Sequence, residues 1–105
     1  METIVVERDG AVATVRLNRP QVLNALNLQM LDELAGAFAQ LDTDEAVRAV
    51  IVTGTGPKAF AAGADIAELK ALPSARAAEA QARRGQALTR ALERMHVPVI
   101  AAVNG

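Results

Sequence analysis

Cysteine, tryptophan and tyrosine are absent from the 105 residues, and only Phe38 and Phe60 are aromatic. Without cysteine there is no disulfide, no thiolate nucleophile and no cysteine-ligated zinc. That suits a reducing cytoplasm. The scarcity of rings leaves Ala, Leu, Val and Ile to build the core, so its stability is expected to draw on a further segment or a partner. No apolar run approaches the ~18 residues of a membrane span. The opening METIVVERDG carries acids too early for a signal peptide. The formal charge is −1, and no basic run exists to follow a nucleic-acid backbone. The one short basic pair, Arg83-Arg84, reads as a solvated helix face. His96 is the single histidine and has no partner at metal-ligand spacing, so it reads as a helix C-terminal residue.

What is present reads as an α/β chain of one domain. Thr3 to Glu7 and Ala11 to Leu17 are β-branched or alternating runs around Asp9-Gly10, which predicts a hairpin with an Asp-Gly turn. From Asn27, a plausible N-cap, Leu31, Leu34, Phe38 and Leu41 recur at helical spacing. VRAVIVT (Val47 to Thr53) predicts a strand buried on both faces. A short helix is expected near Ile66 to Leu72, and a long one capped by Ser74 runs until His96-Val97-Pro98. Val99 to Val103 predicts another doubly buried strand before Asn104-Gly105. A buried strand followed by a turn suggests that the fold continues.

The chemistry concentrates in FAAGAD, Phe60 to Asp65, between a strand and a helix. Small side chains let a ligand approach the backbone. The first N–H groups of a helix lack internal acceptors and carry its positive dipole end. Amides around Gly63 and Ala64 are therefore candidates to stabilise an oxyanion, a device whose loss typically costs ~10²–10³ in turnover. From the residues alone, an ordinary strand-to-helix loop packed with small residues is the favoured reading. Asp65 reads as a helix-start residue and Glu68 as a solvent-facing acid. Gly54-Thr55-Gly56 fails the dinucleotide and phosphate-loop spacings and reads as a turn.

Three segments together carry a resemblance: LNRPQVLNALN (Leu17 to Asn27), AVIVTGTGPKAFAAGADIAEL (Ala49 to Leu69) and PVIAAVNG (Pro98 to Gly105). In order and spacing they resemble the enoyl-CoA hydratase/isomerase (crotonase) superfamily. The resemblance implies that residues 1–105 are the N-terminal portion of a crotonase-like ββα superhelix, cut before the catalytic glutamates. It implies an acyl-CoA substrate, no metal or redox cofactor, and assembly into homotrimers or hexamers. It puts the backbone N–H of Ala64 at the oxyanion hole, with Gly63 beside it. Ala62, Asp65 and Ile66 fall where the family contacts CoA, and Leu23 and Ala25 where backbone lines the adenine pocket. Two departures stand out: Gln21, Val22 and Leu23 occupy positions that often hold a basic residue, and Ala67 stands where many members have Lys. Lys58 and Lys70 are the nearby cations. The resemblance implies a hydratase; an isomerase of the same superfamily, a non-catalytic CoA-binding or assembly module, and a nucleotide-binding α/β domain are the alternatives.

Overall fold

In the computed structural model, which describes residues 2–105, strand β1 (Ile4–Asp9) and strand β2 (Val12–Leu17) form the expected hairpin. Asp9 pairs with Val12, so the turn residues are Gly10-Ala11 rather than Asp9-Gly10. Gly10 has φ +60° and Ala11 does not enter the left-handed region, which suits a two-residue turn with Gly in first place. A 3-10 turn at Pro20–Val22, unforeseen in the sequence, follows.

Helix α1 (Leu28–Thr43) begins where Asn27 accepts a hydrogen bond from the Met30 N–H, satisfying one of its orphan donors. Its apolar face, including Met30, Leu34 and Phe38, is buried. Each such side chain contributes about 1.5–3 kcal/mol of burial. Strand β3 (Ala49–Gly54), helix α2 (Ile66–Ala71), helix α3 (Ala75–Glu93) and strand β4 (Val99–Ala102) complete the chain. Ser74 caps α3 through the Ala77 N–H.

The sheet order is β1-β2-β3-β4, antiparallel at the hairpin and parallel thereafter. Its register puts Ile4, Val15, Val52 and Ala101 on one face. Residues of α1 and α3, notably Phe38, Leu88 and Leu92, join the core on that side. The other face carries Val5, Ile51 and Ile100. Here the doubly buried reading of β3 and β4 is corrected: Ile51 is half-buried and Ile100 is 52% exposed. Helices α1 and α3 pack together and share the core on the first face, so among the described residues the alternate side chains of the central strands are left partly open. Among the described residues no helix is long and apolar enough to cross a membrane.

Candidate oxyanion site

Most of the site residues expected from the sequence lie on two segments, 23–26 and 62–65, that run side by side. The Ala62 N–H donates to the Leu23 carbonyl, the Leu26 N–H to the Gly63 carbonyl, and the Asp65 N–H to the Leu26 carbonyl. This is a one-bridge parallel ladder in which Leu26 faces Ala64. In parallel pairing, the residue opposite the one making both bonds turns its own N–H and C=O away. Ala64 is that residue. Among the described residues, neither its N–H nor that of Gly63 has an acceptor. Ala64 is exposed.

Gly63 makes the bend possible. Its φ is +111°, and a Cβ placed there would meet nothing within 4 Å. The glycine therefore serves backbone conformation and not close packing. Ala62 is exposed too, while Ala61 packs against the core, so tight packing accounts for the small residue at 61 but not for those at 62 to 64. Helix α2 has only 6 residues and sums few peptide dipoles, so it adds little positive potential at the loop.

Asp65 caps α2 as expected: its Oδ1 accepts from the Glu68 N–H at 3.1 Å. Its Oδ2 accepts from Arg19 Nη2 at 3.0 Å, an ion pair whose side chains are only 15% and 16% exposed. The Glu68 N–H first, and the Arg19 guanidinium second, hold this carboxyl below the usual aspartate range. Glu68 corrects the expectation of a solvent-facing acid. It is half-buried, and its Oε1 accepts from the Leu28 N–H and from Gln81 Nε2, both at 2.7 Å. The physical reason is the start of α1, whose orphan N–H groups need acceptors beyond Asn27.

Ile66 opens α2 and is 66% exposed, while Leu23 is 45% exposed. Leu23 has φ 55° and lines a small pocket of about 200 Å³ with Pro20, Thr55 and Lys58. Ala25 is buried, and its carbonyl accepts from Arg19 Nη1. On the other side of the loop, Leu26, Phe60 and Ala61 join Leu88, Leu92 and Met95 around an apolar cleft of about 840 Å³.

Three positioning side chains went unnoticed in the sequence. Asn24, 1% exposed with φ 57°, accepts from the Arg19 N–H at 2.9 Å and donates to the carbonyls of Thr55 and Ala59. Asn104 accepts from the Gly54 N–H at 3.0 Å and donates to the carbonyls of Gly56 and Ala59. Arg19 is the third. The signal available was an Asn between apolar neighbours in VLNAL, where a buried amide must find partners. Among the described residues no cluster of acids or histidine is gathered to hold a metal.

Comparison with known proteins decides the family. A family model described as enoyl-CoA hydratase/isomerase matches residues 7–105. The chain belongs to the enoyl-CoA hydratase/isomerase family. Its crotonase-type relatives include the short-chain-enoyl-CoA hydratase of Clostridium acetobutylicum, 42% identical over 105 residues, covering 100% of this chain and 40% of the relative. The crotonyl-CoA hydratase of Syntrophomonas wolfei is 44% identical over 104 residues, 99% of this chain and 40% of that protein. The crystal structure of an enoyl-CoA hydratase from Bacillus anthracis superposes with a TM-score of 0.95 at 34% identity, over 98% of this chain and 40% of that one. The chain thus spans about 40% of the length of these hydratase relatives, and its α/β architecture is the N-terminal portion of their fold.

Proposed function

We propose that this chain supplies the first oxyanion donor, the N–H of Ala64, of a hydratase-type site that adds water to a 2-enoyl-CoA thioester. The observation that carries this reading is the ladder geometry: Ala64 faces Leu26 while its own amide turns outward, with no acceptor among the described residues.

The chemistry follows from where charge develops. When water attacks the β-carbon, the electron pair of the double bond shifts toward the carbonyl, and the thioester oxygen becomes an enolate oxygen. A fixed N–H aimed at that oxygen is stronger in the transition state than in the ground state, which is the condition for catalysis. The attacking water gives one proton to a base, and an acid delivers a proton to the α-carbon as the enolate collapses back to the thioester. The acid and base for that exchange, and the second donor, are assigned by the family resemblance to sequence beyond these residues. Asp65 and Glu68 do not supply them, because both carboxylates are committed to helix N-termini. No metal or redox cofactor enters this scheme.

In the same reading, the pocket walled by Leu23, Thr55 and Lys58 takes the adenine end of CoA. Lys58 there compensates for the absence of a basic residue at Gln21, Val22 and Leu23. Ala62, Asp65 and Ile66 flank the pantetheine arm. The whole protein is proposed to work in the cytoplasm, in keeping with a cysteine-free sequence, and as a homo-oligomer, as the family resemblance implies. Calorimetric titration of the chain with acetoacetyl-CoA tests the substrate class: saturable binding weakened by Lys58→Ala is expected, and no heat at millimolar ligand would contradict it.

A further inference from the structure

The loop that carries Ala64 is long and mostly without regular structure from Thr55 to Asp65, yet both of its ends are tied to one turn. At the near end, Asn24 donates to the carbonyls of Thr55 and Ala59. At the far end, Arg19 grips the Asp65 carboxylate. These two anchors are themselves joined, since the Arg19 N–H donates to Asn24 Oδ1 and the Asn24 N–H donates to the Arg19 carbonyl. The guanidinium also reaches across the ladder, with Nη1 on the Ala25 carbonyl and Nη2 on Asp65. It therefore bridges the two segments whose pairing aims the Ala64 N–H.

We propose that Arg19 is a positioning residue for the oxyanion donor: its two-pronged bridge from Ala25 to Asp65 holds the 23–26 and 62–65 segments in register and so sets the direction of the Ala64 N–H. The inference rests on the oxyanion reading for its purpose, and on the bridge geometry for its substance. Asp65 divides its oxygens, one to the Glu68 N–H and one to Arg19, so the cap of α2 and the ladder are fixed through one carboxylate. Among the described residues the ladder itself has only the three main-chain hydrogen bonds given above. Arg suits this task because its planar fork serves two acceptors at once, whereas Lys is a point charge.

The test uses the isotopically labelled chain without ligand. In Arg19→Gln, amide exchange at Leu26 and Asp65 should quicken about tenfold or more, as loss of a hydrogen bond to a charged group implies. The residual dipolar coupling of the Ala64 N–H should change, while couplings in β2 and β3 stay as they were. Arg19→Lys should restore neither. Should Arg19→Gln fail to fold, Asp65→Asn leaves the bond to Ala25 in place, weakens the other prong, and is expected to give the same loop signature. An unchanged loop in a folded variant, or full recovery with Lys, overturns the bridge. Adding acetoacetyl-CoA separates the two ideas: a wild-type Ala64 amide indifferent to the thioester would overturn the oxyanion reading and the purpose given to Arg19, with the bridge itself judged by the ligand-free data.

Discussion

Asn24 and Asn104 donate to the same acceptor, the Ala59 carbonyl, at 2.9 and 3.1 Å. A carbonyl has two lone pairs, and here two side chains from opposite ends of the chain take them. The contact ties the turn after β2 and the segment after β4 to the loop after β3, just before the bend at Gly63. The loop is thus held by side-chain amides where no strand ladder reaches it.

Removing Asn24 should therefore cost more than an ordinary polar substitution. Asn24→Ala takes this donor from the half-buried Thr55 carbonyl and the acceptor from the Arg19 N–H, while Ala59 keeps Asn104, at about 1–3 kcal/mol for unsatisfied groups. Ala is also less at ease than Asn at a positive φ. A fall in melting temperature of roughly 4–8 °C per kcal/mol is expected for a domain of this size. Asn104→Ala, half-buried, should cost less. Thermal denaturation of both variants, followed by circular dichroism, checks the order.

Two glycines predict opposite signs. A Cβ on Gly54 would sit 2.6 Å from the Phe60 carbonyl oxygen and 2.7 Å from that of Ala59, so Gly54→Ala must displace the loop backbone, at about 1–3 kcal/mol or more. A Cβ on Gly36, within α1, meets nothing within 4 Å. Gly36→Ala should stabilise the chain by about 0.4–1 kcal/mol by restricting the unfolded state. Chemical denaturation midpoints of the two variants should move in opposite directions.

Acid should lower the stability of the chain through its depressed carboxyls. Burial alone would raise Glu33, but hydrogen bonds from the Thr3 main chain and hydroxyl and from Gln29 outweigh it and lower it from 4.5 to about 2. Asp42 is lowered chiefly by the His96 N–H, Asp44 by the Ala46 N–H, and Asp65 by the Glu68 N–H. Since the unfolded chain binds these protons first, stability is full above the ordinary carboxylate values of 3.8 and 4.5 and declines as pH falls through the lower folded values toward about 2. Glu33→Gln should flatten part of that decline in denaturation curves taken between pH 5 and about pH 2.

The element order was legible in the sequence because periodicity and caps agree: Asn27 and Ser74 both start helices as their residue types dictate. The bend was legible as small residues after a strand, but its meaning was not. Local propensity says nothing of the pairing between Leu26 and Ala64, and that pairing turns the amide outward. Arg19 and Asn104 were illegible for the same reason, since each acts on a segment distant in sequence, and VLNAL showed that Asn24 needs partners but not that they lie at Thr55 and Ala59. Glu68 was misread because its partner, the Leu28 N–H, belongs to another helix. The strands β3 and β4 read as doubly buried from their composition, which records the environment a strand is suited to and not the layers present in this chain.

On its own, the 105-residue chain should not hydrate crotonyl-CoA, because its loop carboxylates are spent as caps and one N–H donor cannot move protons. Loss of the enoyl thioester absorbance above the uncatalysed rate, with purified chain, would show that a residue of this segment performs acid–base chemistry.

The most direct measurement is the amide spectrum of the labelled chain titrated with acetoacetyl-CoA and, separately, with CoA. The Ala64 N–H should shift strongly with the thioester and little with CoA, while the Ala62 and Asp65 amides, already bonded to Leu23 and Leu26, respond far less. An Ala64 signal that stays still, or moves no more than those of Ala62 and Asp65, would contradict an oxyanion donor at this bend.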